Sequence, residues 1–174
     1  MDGDFSIQNL FRLSMKRELP TLRMINPQPK RGEWLNIGAG FQVIPGFTNL
    51  DKPKWRWPRD PLPYGDDTVE SILAFHFLEH LSGENAITML LEIQRVLRRG
   101  GILTFCMPYY LSSMQGHDLT HKSFWNEDSF RTLFGNGYYD INGLQDQWKL
   151  RVHTLFLMGV VFRNLAIIGQ LIKE

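Results

Sequence analysis

The residues best suited to chemistry fall in a few short runs. Gly38-Ala39-Gly40 follows the apolar stretch Trp34-Leu35-Asn36-Ile37, and Asp51 closes the next apolar run, which starts at Phe47. Glycines let a chain turn tightly with no Cβ in the way, so a ligand can lie against bare peptide groups. A carboxylate at the tip of the neighbouring strand can accept hydrogen bonds from both hydroxyls of a ribose. This order of residues suits a nucleotide-type site. It is shorter than the dinucleotide fingerprint, and a plain turn between two strands is the competing reading.

Histidine is the natural base near neutral pH. His76 and His80 lie in one run, His76-Phe77-Leu78-Glu79-His80; His117 and His121 lie in another, after Tyr109-Tyr110, and His153 stands farther along. Both pairs have the i, i+4 spacing that can place two imidazoles on one metal. With no third ligand in view, and with Gly116 and Thr120 giving the second pair a loop-like character, no metal is assigned. His80 is read as structural, capping the helix that starts nearby.

The elements that must carry these groups follow from pattern. Residues 34–38 and 47–51 read as strands, and the link between them is too short for a full crossover helix, which with its turns takes about a dozen residues. Pro53, Pro58, Pro61 and Pro63, with Trp55 and Trp57, make residues 52–68 an irregular loop. Its tryptophans are read as packing over the core rather than stacking on a ligand ring. Val69–Phe75 reads as a buried strand. A helix follows from Gly83, with Ile87, Leu90, Leu91 and Leu97 at helical spacing; Arg95, Arg98 and Arg99 sit in its last turns, and Gly100-Gly101 stops it. Ile102–Met107 is the next strand, which completes a parallel, right-handed βαβ unit. A short helix runs from Asn126-Glu127-Asp128-Ser129 to Phe134, closed by Gly135-Asn136-Gly137. Two terminal strands, Leu150–Phe162 and Leu165–Ile172, form an antiparallel hairpin. Ahead of all this, residues 5–19 carry an amphipathic helix signal and residues 20–30 a proline-marked linker.

With 174 residues, 43% hydrophobic and 21% charged, the chain reads as a single globular domain. The formal net charge of +1 gives no bias toward nucleic acid, and basic residues before the glycine turn are read as a solvated face. Cys106 is the single cysteine, so no internal disulfide forms, which suits a reducing compartment. The start lacks a signal-peptide pattern and the apolar C-terminal run is too short to span a membrane, so the expected location is cytoplasmic. That apolar region packs within the monomer or forms a homodimer face.

Three stretches in order, LNIGAG with PGFTNLD, PLPYGDDTVESILAFHFLEHL, and EIQRVLRRGGILTFCMPY, resemble the small class I S-adenosylmethionine-dependent methyltransferases over about residues 34–110. HKSFWNEDSF is similar to a further segment of small members. The resemblance implies an α/β fold with a doubly wound, mostly parallel Rossmann-like sheet and an antiparallel last strand. The short links imply trimming around the first crossover helix and third strand. Within 1–174 it makes 34–110 the cofactor-binding core and 111–174 the substrate-side loop, short helix and terminal hairpin, after an N-terminal helix and linker at 1–30.

The cofactor implied is S-adenosylmethionine, leaving as S-adenosylhomocysteine. Gly38, Ala39 and Gly40, with Asn36, would lie along its aminoacyl and ribose portion; Asp51, with Lys52, would hold the ribose; Asp60 and Leu62 would border the adenine. Phe75, His76 and Phe77 would line the other side. The family's acid usually lies several residues before the position of Asp60, which here directly precedes Pro61. His117, His121 and Tyr109 are the substrate-side candidates for catalysis, in the loop where the family places its acceptor. The expected acceptor is a small molecule or a modest exposed group of a larger one. A non-catalytic cofactor-binding module, or a partner subunit of a methyltransferase complex, is the alternative from a different class.

Overall fold

The computed structural model describes residues 33–134, 144, 148–157 and 164–174. The N-terminal helix and linker expected at 1–30, and the glycine closure at 135–137, lie outside these residues. Six strands form one sheet: β1 (Glu33–Ile37), β2 (Thr48–Leu50), β3 (Val69–Phe75), β4 (Leu97–Pro108), β5 (Trp148–Leu157) and β6 (Asn164–Lys173). Their spatial order is β2-β1-β3-β4-β6-β5. β1, β2, β3 and β4 pair in parallel, whereas β6 runs antiparallel to β4 and β5 antiparallel to β6. The mostly parallel sheet with an antiparallel end is the one expected from the sequence.

The trimming is equally plain. Residues 38–47 hold turns and no helix, and residues 51–68 hold turns with neither strand nor helix. What replaces the crossover helix is a polar clamp. Asn36, 3% exposed on β1, donates through Nδ2 to the Gln42 carbonyl and to Asn49 Oδ1, both at 2.8 Å. Asn49 in turn accepts from Ile44 N and donates to the carbonyls of Ile44 and Phe47. Two amide side chains thereby satisfy backbone groups that a helix would have satisfied internally.

Helix α1 (Gly83–Val96) covers the sheet with Ala86, Met89, Leu90, Ile93 and Val96, which recur at helical spacing and are buried. Its N-cap is Ser82, which accepts from Asn85 N; His80, expected in that role, bonds elsewhere. The helix ends at Val96 and not at Gly100. Arg98, Arg99, Gly100 and Gly101 belong to β4, where pairing jumps from Val69–Leu97 to Ser71–Ile102. Between these pairs one residue of β3, Glu70, faces four of β4, and the excess loops out. Gly100 takes φ +75°, and a Cβ on Gly101 would sit 2.7 Å from the Arg98 carbonyl oxygen. The glycine pair shapes a bulge rather than a helix stop.

Two further helices follow β4: α2 (Ser113–His117) and α3 (Glu127–Phe134). Segment 113–117, expected as loop, forms a helical turn capped by Ser112. In α3, Asn126 Oδ1 accepts from Ser129 N while Ser129 Oγ accepts from Asn126 N, a reciprocal cap. Phe130 on α3 stacks on Phe105 of β4 at 4.4 Å between ring centroids.

Candidate active site

In an open parallel sheet, ligands settle outside the carboxyl ends of the strands where the chain reverses its winding. Here the chain passes from β1 out to β2, then back across β1 to β3. That reversal places the ends of β1, β2 and β3 side by side, and a cavity of about 780 Å³ opens there. Gly38 and Gly40 line it from the end of β1, Asp51 and Lys52 from the end of β2, and His76 and Phe77 from the end of β3. Such a volume lies within the usual range for small-ligand pockets.

The glycine turn is built against its neighbours. Gly38 N and Ala39 N donate to the Leu50 carbonyl, tying the turn to β2. Gly38 and Gly40 both hold positive φ, +65° and +50°. Gly40 N donates to Asp51 Oδ2, and Lys52 N donates to Asp51 Oδ1 at 2.6 Å. The carboxylate is thus fixed at the cavity wall by two backbone donors.

Several sequence-predicted residues do not reach the cavity. Asn36 is spent on the clamp, and Ala39 and Phe75 are buried without lining it. Asp60 pairs with Arg59 at 2.7 Å and accepts from Arg56 N; the Arg59 hydrogen bond leads in holding its carboxyl below the usual range. Leu62 is a core residue, and its N–H donates to Glu92 Oε1. Tyr109 and His117 do not line the cavity. Burial, followed by the charge of Glu127, pushes the Tyr109 phenol up, which keeps it protonated rather than as phenolate at neutral pH. His121 stands one residue layer back, its ring edge-on to His80 at 4.8 Å.

Other residues complete the lining: Trp55, Arg56, Trp57, Pro58, His80, Leu81, Asn85, Leu119, Thr120 and Lys122. Trp55 is 5% exposed, packs 6.0 Å from Phe77 and donates to the Pro61 carbonyl; Trp57 donates to the Asn85 carbonyl. Both indoles are built into the fold, as the packing reading expected, while also presenting apolar surface to the cavity. The signal for this wall was the K-P-K-W-R-W-P run, whose prolines exclude regular structure.

His76 carries the most perturbed group in the cavity. Burial works against its charge, but the hydrogen bonds it donates toward Cys106 and Glu79, with the Glu79 charge, outweigh it and hold the imidazole up to about 10. Its Nδ1 lies 3.1 Å from Glu79 Oε1, and Glu79 is fully buried. The raised imidazole favours the donor form over the general base.

Comparison with known proteins agrees with this arrangement. A family model described as a methyltransferase domain matches residues 58–105. Among solved structures, the YcgJ protein of Bacillus subtilis is 13% identical, with a TM-score of 0.60 over 96% of this chain and 99% of that one. An S-adenosylmethionine-dependent methyltransferase of Archaeoglobus fulgidus is 14% identical, with a TM-score of 0.57 over 94% of each chain. The chain has the fold of the class I methyltransferases. A third similar structure is a methyltransferase of Haloferax volcanii in complex with its Trm112 activator, 12% identical with a TM-score of 0.55, over 83% of this chain and 84% of that one. No curated protein matches the chain in sequence. Among the described residues no helix is long and apolar enough to cross a membrane.

Proposed function

We propose that this protein transfers a methyl group from S-adenosylmethionine to a small-molecule acceptor. One observation carries the reading: the glycine turn after β1 and the carboxylate after β2 open into the same cavity, at the winding reversal of a methyltransferase fold. The residues fit the cofactor. A Cβ on Gly40 would have only Asp51 Oδ2 within 4.0 Å, so the backbone there is open to a ligand. Asp51 supplies lone pairs for ribose hydroxyls, and Trp55 and Phe77 supply apolar walls.

Bound there, S-adenosylmethionine would supply a methyl group already activated by its sulfonium charge. The protein then has to align the acceptor and manage one proton. His76 lines the cavity with its Nδ1 engaged by Glu79, so it shapes the wall and is not assigned the proton. Leu119, Thr120 and Lys122 form the acceptor side, with His121 behind them and outside the cavity lining. His117 and Tyr109 also lie outside that lining.

A second reading, a methyltransferase completed by a partner subunit, draws on the sheet edge. β2 is three residues long and terminal in the sheet, and the loop before it exposes Phe41 and Val43. The Haloferax volcanii relative is described with an activator.

Calorimetric titration with S-adenosylmethionine and S-adenosylhomocysteine tests the cofactor. Micromolar binding of both, lost in Asp51→Ala, supports the reading; no binding by the folded protein refutes it for the isolated chain. Turnover of acceptors then separates the enzyme from a binding module.

A further inference from the structure

Glu79 is fully buried, and while Oε1 faces His76, its Oε2 has no hydrogen-bond partner. A buried carboxylate oxygen left without a donor is costly and calls for an explanation. Two imidazoles lie beside this carboxylate: Glu79, His80 and His121 each offer one ligand atom within 4.8 Å of the others. The two rings come from distant parts of the chain, His80 from the turn after β3 and His121 from the segment after α2.

The hydrogen bonding of both rings leaves the same nitrogen free. His121 Nδ1 lies 3.0 Å from the Gln115 carbonyl, an acceptor only, so Nδ1 carries the proton and donates. His80 Nδ1 lies 3.0 Å from Thr120 Oγ1, whose own proton goes to Asp118 Oδ1 at 2.7 Å. Thr120 therefore accepts from His80. With both Nδ1 protons committed, Nε2 of each neutral ring bears the lone pair. This is the outer hydrogen bonding that fixes metal-binding histidines. Asp118 adds a carboxylate, its Oδ2 3.9 Å from His121 Nε2.

We infer that Glu79, His80 and His121 form a divalent transition-metal site, reached from the cavity that His80 lines, with Zn²⁺ as the fitting ion. Two imidazoles and one carboxylate make a three-ligand set of the kind that leaves a coordination position open. Imidazole nitrogen selects zinc over the oxygen-seeking Mg²⁺ and Ca²⁺. The ion would give Glu79 Oε2 the partner it lacks and draw the three atoms closer, since bonds of about 2.1 Å hold tetrahedral ligands about 3.4 Å apart. Asp118 or an acceptor oxygen is available for the remaining position. The site does not depend on the methyl-transfer reading.

Chelator-treated full-length protein is titrated with ZnCl₂ alone, against a competing chromophoric chelator. One equivalent bound at micromolar affinity or tighter is expected. Glu79→Gln and His121→Gln should each weaken it by about 100-fold or more, with circular dichroism reporting whether each variant is folded. His117→Gln, at the end of α2 and outside the cluster, should bind as the parent does. Co²⁺ in place of zinc should give the visible bands of a four- or five-coordinate ion. If the parent binds less than one equivalent, or if folded Glu79→Gln and His121→Gln bind zinc unchanged, the inference is wrong. Because no cofactor is present in this titration, its outcome is independent of S-adenosylmethionine binding.

Discussion

A Cβ on Gly38 would lie 2.4 Å from Cδ2 of Phe77, so the turn after β1 and the segment after β3 are fitted to each other with no room for a side chain. Gly38 is excluded from substitution twice over, by its φ of +65° and by that ring. Gly38→Ala should lose about 1–3 kcal/mol of stability and abolish S-adenosylmethionine binding. Phe77→Ala in the same chain should restore part of the stability by removing the clash, though not the backbone strain. Thermal unfolding of the two single variants and the double variant checks this; strict additivity would mean that the contact is not tight.

Asp51 and Asp60 were both assigned to the cofactor, and the geometry separates them. Asp51 faces the cavity, held by Gly40 N and Lys52 N, whereas Asp60 is engaged with Arg59 and Arg56. Losing a charge-assisted hydrogen bond costs about 1.5–3 kcal/mol. Asp51→Ala should therefore weaken S-adenosylmethionine binding by about 10- to 100-fold. Asp60→Ala should leave it unchanged by calorimetry.

This contrast shows what was legible in the sequence. Glycines at a strand end and an acid at the next strand end are local signals, and they land at one cavity because the parallel topology puts strand ends together. The α1 boundary was misread because Leu97 continues the helical spacing, and only the pairing of β3 with β4 shows the excess residues as a bulge. The Glu79–His80–His121 cluster was invisible for another reason. Its two histidines are far apart in sequence, whereas the histidines at i, i+4 spacing are not the ones that meet. Asn36 read as a ligand contact because its clamp partner, Asn49, carries no motif.

Lys173 was not singled out by any pattern, yet it closes the sheet's end. Its Nζ, on a residue 9% exposed, donates to Asp67 Oδ1 at 2.6 Å and to the carbonyls of Gln94 and Leu97, both at 2.8 Å. It therefore ties β6 to the α1–β4 junction and to the turn before β3. Lys173→Met keeps the aliphatic stem but leaves the two carbonyls without this donor. The expected loss is about 1–3 kcal/mol, read from urea unfolding. S-adenosylmethionine affinity should be unaffected, because none of these groups lines the cavity.

Glu92 links α1 to the aromatic loop that walls the cavity. It accepts from Leu62 N and, through both oxygens, from Arg95, which also bonds the Tyr64 and Leu62 carbonyls and Asp66. The Arg95 hydrogen bond, together with the Leu62 amide and the Arg95 charge, outweighs desolvation and lowers the Glu92 carboxyl from its ordinary 4.5. A carboxyl depressed on folding adds stability above its unfolded value and loses it as pH falls through the folded one. The advantage of the parent over Glu92→Gln in melting temperature should be full above the ordinary value of 4.5 and shrink as pH falls below it. If the gap instead stays constant as pH falls, the network holds the loop through geometry alone and the Glu92 charge contributes nothing.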